Sequence, residues 1–237
     1  VLALSRQREG RLDRERLLVV GFALALLREL FKFAHLSVRL VTDSDHSVFC
    51  AVIAPMEHAL TLASLVVIAA AFLRYILDDA VIARRYLRVG LWAGGLATAA
   101  AFFWWPIELR ANPEIQFHLT WPASLLHLLA ALLIGAAALI LARRRGWLRN
   151  TVLIALAFLF VSELLTFINF ATGHANNRVL CPVSNSFYLW AIPIFAFVYY
   201  REQTNEKRQA DAALRAYRDH LEELVAARTA ELTHANQ

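Results

Sequence analysis

Ionisable side chains recur inside apolar sequence: Glu29 and His35 in the stretch 17–40, Glu57 and His58 in 51–76, His127 in 119–142 and Glu163 in 151–172. A charge held in hydrocarbon costs roughly 2.5–3.5 kcal/mol at a helix centre, so each of these groups needs a partner or a task. Neutral imidazoles at matched depth on opposed helices can hold the iron of haem b axially, and His58 with His127 is the pair suited to it. Mixed imidazole and carboxylate donors suit zinc or non-haem iron, and nitrogen-rich sets suit copper. Glu57 and Glu163 tilt the set toward that second chemistry. A third arrangement needs no cofactor: Arg28 or Lys32 paired with Glu57 or Glu163 makes a proton-sensitive ion-pair network with histidines as hydrogen-bond partners. An organic ligand is the remaining occupant of such a layer.

Depth along the helices supports a single layer. At about 1.5 Å per residue, His58 lies about seven residues below the outer start of its helix and His127 about eight below its own. Glu163 lies about nine residues from the outer end of its helix, Glu29 about eleven and His35 about five. Arg28, Lys32, His35 and Arg39 share one helical face, as do Glu57, Thr61 and Ser64, and Thr120, Ser124 and His127. The expected site is therefore Glu29, His35, Glu57, His58, His127 and Glu163, as ligands or as the groups that orient them.

The elements that must position these residues are six apolar runs near 17–40, 51–76, 87–106, 119–142, 151–172 and 184–200, each long enough to span a bilayer. Hydrophobic residues make up 59% of 237 residues and the mean hydropathy is +0.50, which excludes an ordinary soluble domain. The expected fold is all-α, a polytopic membrane protein with a six-helix transmembrane bundle followed by a cytoplasmic coiled-coil helix. Arginines concentrate before the first run, between the second and third, and between the fourth and fifth, and Lys207 and Arg208 follow the sixth. The other connectors carry Asp43, Asp45, Glu108 and Glu114, so both termini are expected in the cytoplasm. The net charge of +5 is then a topology signal, with no nucleic-acid partner expected.

No cleavable signal peptide is expected, because a charged segment precedes a run too long for a signal core. The chain begins with Val and stops inside a helical pattern, which reads as part of a longer polypeptide. Cys50 and Cys181 both fall outside in this topology, where a disulfide would tie the outer ends of helices two and six; two unpaired thiols are the alternative. Asp43, Asp45 and His46, with His174, read as solvated loop residues before a cation site. The Phe102 to Trp105 run ending at Pro106 reads as an interfacial anchor, and Pro55 and Pro122 as first-turn prolines.

Beyond Tyr200 the composition turns from apolar to charged. Ala210, Leu214, Tyr217, Leu221 and Leu224 form a heptad seam, and Val225 and Leu232 shift its phase as a stutter does. The expected domains are 1–16, a cytoplasmic tail; 17–200, the transmembrane bundle; and 201–237, a helix pairing two protomers.

The segment from Leu221 through EELVAARTAELTHANQ, with its Val-Ala-x-Arg-Thr-x-Glu-Leu pattern, resembles the signalling helix that precedes PAS, histidine-kinase or diguanylate-cyclase modules in bacterial membrane receptors. The six-run bundle before it is similar to the MASE-type integral-membrane sensor domains of such receptors. The resemblance implies an inner-membrane sensor of a two-component or cyclase pathway. It would detect a small ligand, a metal ion (Zn, Cu or Fe), haem b or a redox state, and signal as a homodimer to a downstream kinase or cyclase. No phosphoacceptor-histidine motif, nucleotide-binding glycine box or GGDEF motif occurs, so no catalytic residue is expected in this stretch. The rival readings are an electron-transfer protein of cytochrome b type and a transporter, the latter disfavoured by the apolar inner halves of the fourth and fifth runs.

Overall fold

A computed structural model gives the fold over residues 2–42, 48–77, 79–112, 115–172 and 179–235, with side chains for these except 2–14, 35–36, 38–42, 48–51, 234 and 235. Every regular element is helical: α1 Leu2–Thr42, α2 Val48–Leu77, α3 Ala80–Ala111, a 3-10 turn at Phe117–Leu119, α4 Trp121–Ala142, α5 Trp147–Ala171 and α6 Leu180–Ala235. No strand occurs among the described residues. A bilayer admits this architecture, since a helix satisfies its backbone groups within its own segment without water.

Among the described residues, five helices, α2 to α6, are long and apolar enough to cross a membrane, which is consistent with a multi-pass membrane protein. The sixth, α1, carries Arg28, Glu29 and Lys32 within its apolar stretch. The helices outrun the apolar runs that mark them. The charged segment 2–16 is the first part of α1, and α3 continues from 106 to Ala111.

Three helix starts show why the chain breaks where it does. Asp79 caps α3, its Oδ1 accepting from the backbone N–H of Val81 (2.8 Å) and Ile82 (3.2 Å). Thr120 holds an extended conformation before α4, whose first turn carries Pro122. Gly146 turns the chain from α4 into α5 at φ 142°, a conformation that L side chains rarely adopt.

The chain divides into two compact units, Val1–Ile194 and Phe195–Gln237. In the first, α2 is the inner helix: it packs on α1, α3 and α4 and touches α5. Of its most apolar window 78% is buried, against 17% for α3, so α2 meets protein on nearly every side while α3 turns an apolar face outward. Trp92, Phe103 and Leu139 are exposed on such faces, as lipid-facing residues are. Glycines permit the closest approaches. A Cβ at Gly21 would lie 2.7 Å from Ile68 Cγ1 on α2, and one at Gly90 2.7 Å from Val66 Cγ1.

The prolines depart in part from the sequence expectation. Pro55 is not in a first turn but buried inside α2, because that helix starts at Val48. Pro106 lies inside α3, and Trp105 beside it is buried against Phe117 (ring centroids 5.2 Å apart), while Phe103 of the same run is exposed. Pro122 is in the first turn of α4 as expected.

The second unit is helical from Phe195 to Ala235. Leu214, Tyr217, Leu221 and Leu224 are all exposed along it. Arg218 and Glu222 (3.5 Å) and Arg228 and Glu231 (2.7 Å) pair on its surface at helical spacing.

Candidate functional site

A cavity of about 940 Å³ opens in the first unit between α1, α2, α4, α5 and the start of α6. Its wall includes Arg28, Glu29 and Lys32 from α1, Glu57 and His58 from α2, His127 from α4, Glu163 from α5, and Ser184 and Tyr188 from α6. Five of the six expected site residues thus line one space. The side chain of His35 lies outside the described residues.

The centre is a chain of contacts across three helices. His58 and His127 stand edge to face, with ring centroids 5.1 Å apart and planes at 73°. His127 Nδ1 lies 2.7 Å from Glu163 Oε2, and that carboxylate has only 5% of its side chain exposed. His58 Nδ1 lies 2.9 Å from the carbonyl oxygen of Ala54, one turn back on its own helix. The Ala54 carbonyl can only accept, so His58 Nδ1 carries the proton of that bond, and His127 Nδ1 does the same toward Glu163 when that group is a carboxylate. Aromatic rings hold the imidazoles from the sides: Phe117 packs on His58 and Phe170 on His127, each with centroids 5.2 Å apart.

The α1 charges divide among carboxylates. Lys32 Nζ is 3.3 Å from Glu57 Oε1, joining α1 to α2 as the ion-pair reading expected. Arg28 instead pairs with its neighbour Glu29 (2.8 Å) and lies over the Tyr188 ring at 5.0 Å. Of the polar stripes, Thr61 and Ser64 are buried but donate to carbonyls of α2 itself, at Glu57 and Thr61. Ser124 donates to Thr120 O in the same way. These hydroxyls satisfy their own helix and contribute no donor to the layer.

Sequence periodicity did not mark the α5–α6 junction. Ser162 Oγ donates to Ser184 O (2.9 Å) and Ser184 Oγ to Ser162 O (3.0 Å), a reciprocal clasp, with Thr166 Oγ1 2.6 Å from Ser184 Oγ. Ser162 adjoins Glu163 in sequence, so the clasp and the His127–Glu163 pair share a turn of α5. The trace it leaves in the sequence is a serine on each of two apolar helices, a common pattern at membrane helix interfaces.

Cys181 is a free, exposed thiol at the cavity wall. The side chain of Cys50 lies outside the described residues, as do Asp43, Asp45, His46 and His174. Among the described residues no three His, Cys, Asp or Glu side chains stand together as a metal cage. A smaller space of about 380 Å³ between α2 and α3 is lined by apolar and small residues, with Thr98 as its single hydroxyl, and offers no comparable donor set. No protein-family model, curated protein or solved structure matches this chain.

Proposed function

We propose that this chain is a membrane-integral sensory input module of a bacterial inner-membrane receptor, with both termini cytoplasmic. A small ligand, a metal ion or a redox change at the His58–His127–Glu163 layer is its stimulus. The output is a change in a dimeric coiled coil formed by the tail, read by a kinase or cyclase domain. One observation carries the reading: residues far apart in sequence, on α2, α4 and α5, meet in a cavity whose remaining wall includes Ser184 and Tyr188 of α6, and α6 is the helix that bears the heptad seam.

The mechanism is a two-state bias. An occupant that binds one arrangement of the layer more tightly shifts α6 through the Ser162–Ser184 clasp, and the stutter near Leu224 and Val225 offers two registers for the seam. An apolar seam exposed in the single chain, at Leu214, Tyr217, Leu221 and Leu224, supports pairing with a second copy. The cytochrome reading has less support. Two imidazoles on one haem iron keep their ring centroids about 6 Å apart, given metal–nitrogen bonds of about 2 Å, whereas His58 and His127 are at 5.1 Å. A small occupant suits that spacing better.

Single cysteines placed between 214 and 225 test the reading in membranes. The expected result is a crosslinking pattern between protomers that shifts by a helical register when the layer is occupied or its Glu163 is replaced by Gln. An unchanged pattern, or no crosslinks at all, argues against the module.

A further inference from the structure

The two histidines at the centre of the cavity have their Nδ1 atoms spent and their Nε2 atoms free. His58 Nδ1 donates to Ala54 O and His127 Nδ1 to Glu163. Among the described residues, the hydrogen bonds of both rings are made through Nδ1 and none through Nε2. An imidazole whose Nδ1–H is held by a carbonyl or carboxylate presents Nε2 as a lone pair with a fixed aim, which is how metal-ligating histidines are prepared.

Resting on the reading of this cavity as the stimulus site, we propose that His58 Nε2 and His127 Nε2 together bind a late first-row transition-metal ion, copper more tightly than zinc. Charge agrees with a cationic occupant: Arg28 and Lys32 face three carboxylates, Glu29, Glu57 and Glu163, around the same space. Arg28 and Lys32 each lie beside one of these, at 2.8 and 3.3 Å, which leaves the Glu163 charge to the histidine pair. Nitrogen donors select Cu²⁺ over Zn²⁺ by the ordinary affinity order of the divalent series. With no third protein side chain placed as a ligand among the described residues, the other coordination positions belong to water or an external donor. That open pattern suits a site that must fill and empty, whereas a structural site is closed by four protein ligands.

The test uses the whole chain, purified in detergent with a non-histidine affinity tag, stripped of metal and titrated with CuCl₂ and ZnCl₂. The expected result is one saturable ion per chain, tighter for Cu²⁺, with an electron paramagnetic resonance spectrum showing coupling to two nitrogens. His58→Gln and His127→Gln each lose at least about tenfold in affinity and one nitrogen coupling, whereas His220→Gln in the tail binds as the parent does. Glu163→Gln keeps the side chain's size and an oxygen for the Nδ1–H, and weakens binding by about 10–100-fold with both nitrogens retained. Absence of saturable binding, or equal binding by the His58→Gln/His127→Gln double variant, overturns the proposal. Should a histidine variant fail to give a monodisperse helical protein, unchanged affinity in Glu163→Gln overturns it as well. Copper bound as described with tail crosslinks that never change leaves the metal site standing and removes the sensory reading. Crosslinks that respond to pH or to an added quinone in a chain that takes up no metal do the reverse.

Discussion

Buried polar side chains in this protein divide into those that satisfy their own helix and those that join two helices. Thr61, Ser64 and Ser124 belong to the first kind. Ser162 and Ser184 belong to the second, and the half-buried Thr166 donates within α5 while also reaching Ser184. The distinction has a measurable consequence, because interhelical hydrogen bonds in membranes contribute about 0.6 kcal/mol on average and up to about 1.7. Replacing Ser184 by Ala removes the bond to Ser162 O and the contact with Thr166, so the chain is expected to lose about 1 kcal/mol of stability, measured by detergent-driven unfolding. Replacing Ser124 by Ala removes only a bond within α4 and is expected to change stability by less than about 0.5 kcal/mol. Equal effects of the two would mean that the α5–α6 clasp does not hold those helices.

Close approach between helices rests on glycine at particular positions. A Cβ at Gly90 meets Val66 Cγ1 at 2.7 Å, and one at Gly94 meets Leu62 Cδ2 at 2.9 Å. Gly95, next along α3, faces open space, with nothing within 4 Å of where a Cβ would stand. Overpacking at a tight contact costs typically about 1–3 kcal/mol. Gly90→Leu is therefore expected to destabilise the α2–α3 pair by that amount, and Gly95→Ala to be neutral or slightly stabilising through helix propensity. The pair of variants, compared in the same unfolding assay, separates helix packing from helix propensity. The effect on the cavity should be indirect, since α3 contributes none of its lining residues.

At the scale of the whole molecule, arginine distribution and apolar length together imply a direction across the membrane. Reporter fusions are expected to place the α3–α4 connector around 112–120 outside the cell and the α4–α5 connector, with Arg143, Arg144 and Arg145, inside. The opposite pattern would put the histidine layer in the cytoplasmic half and require a stimulus from within. Arg28, Lys32 and three carboxylates are retained in a space that apolar residues would fill at lower cost, which is the usual signature of function in a membrane bundle.

Helix existence and approximate position were legible in the sequence, because a bilayer demands long apolar runs with internally bonded backbones, and α2, α4 and α5 lie within a few residues of 51–76, 119–142 and 151–172. The ends were not legible: charged residues at 2–16 and beyond 106 carry no hydropathy signal, yet good helix formers extend α1 and α3 there. The sequence also named the ionisable groups, since each stands out against hydrocarbon. Tertiary structure decided their partners. Lys32 meets Glu57 while Arg28 turns to Glu29 and Tyr188, and Glu163 takes His127. The physical reason is that a polar stripe marks a face of α2 and of α4 but names no neighbour for it, so only the packing of neighbouring helices brings His58, His127 and Glu163 to one point.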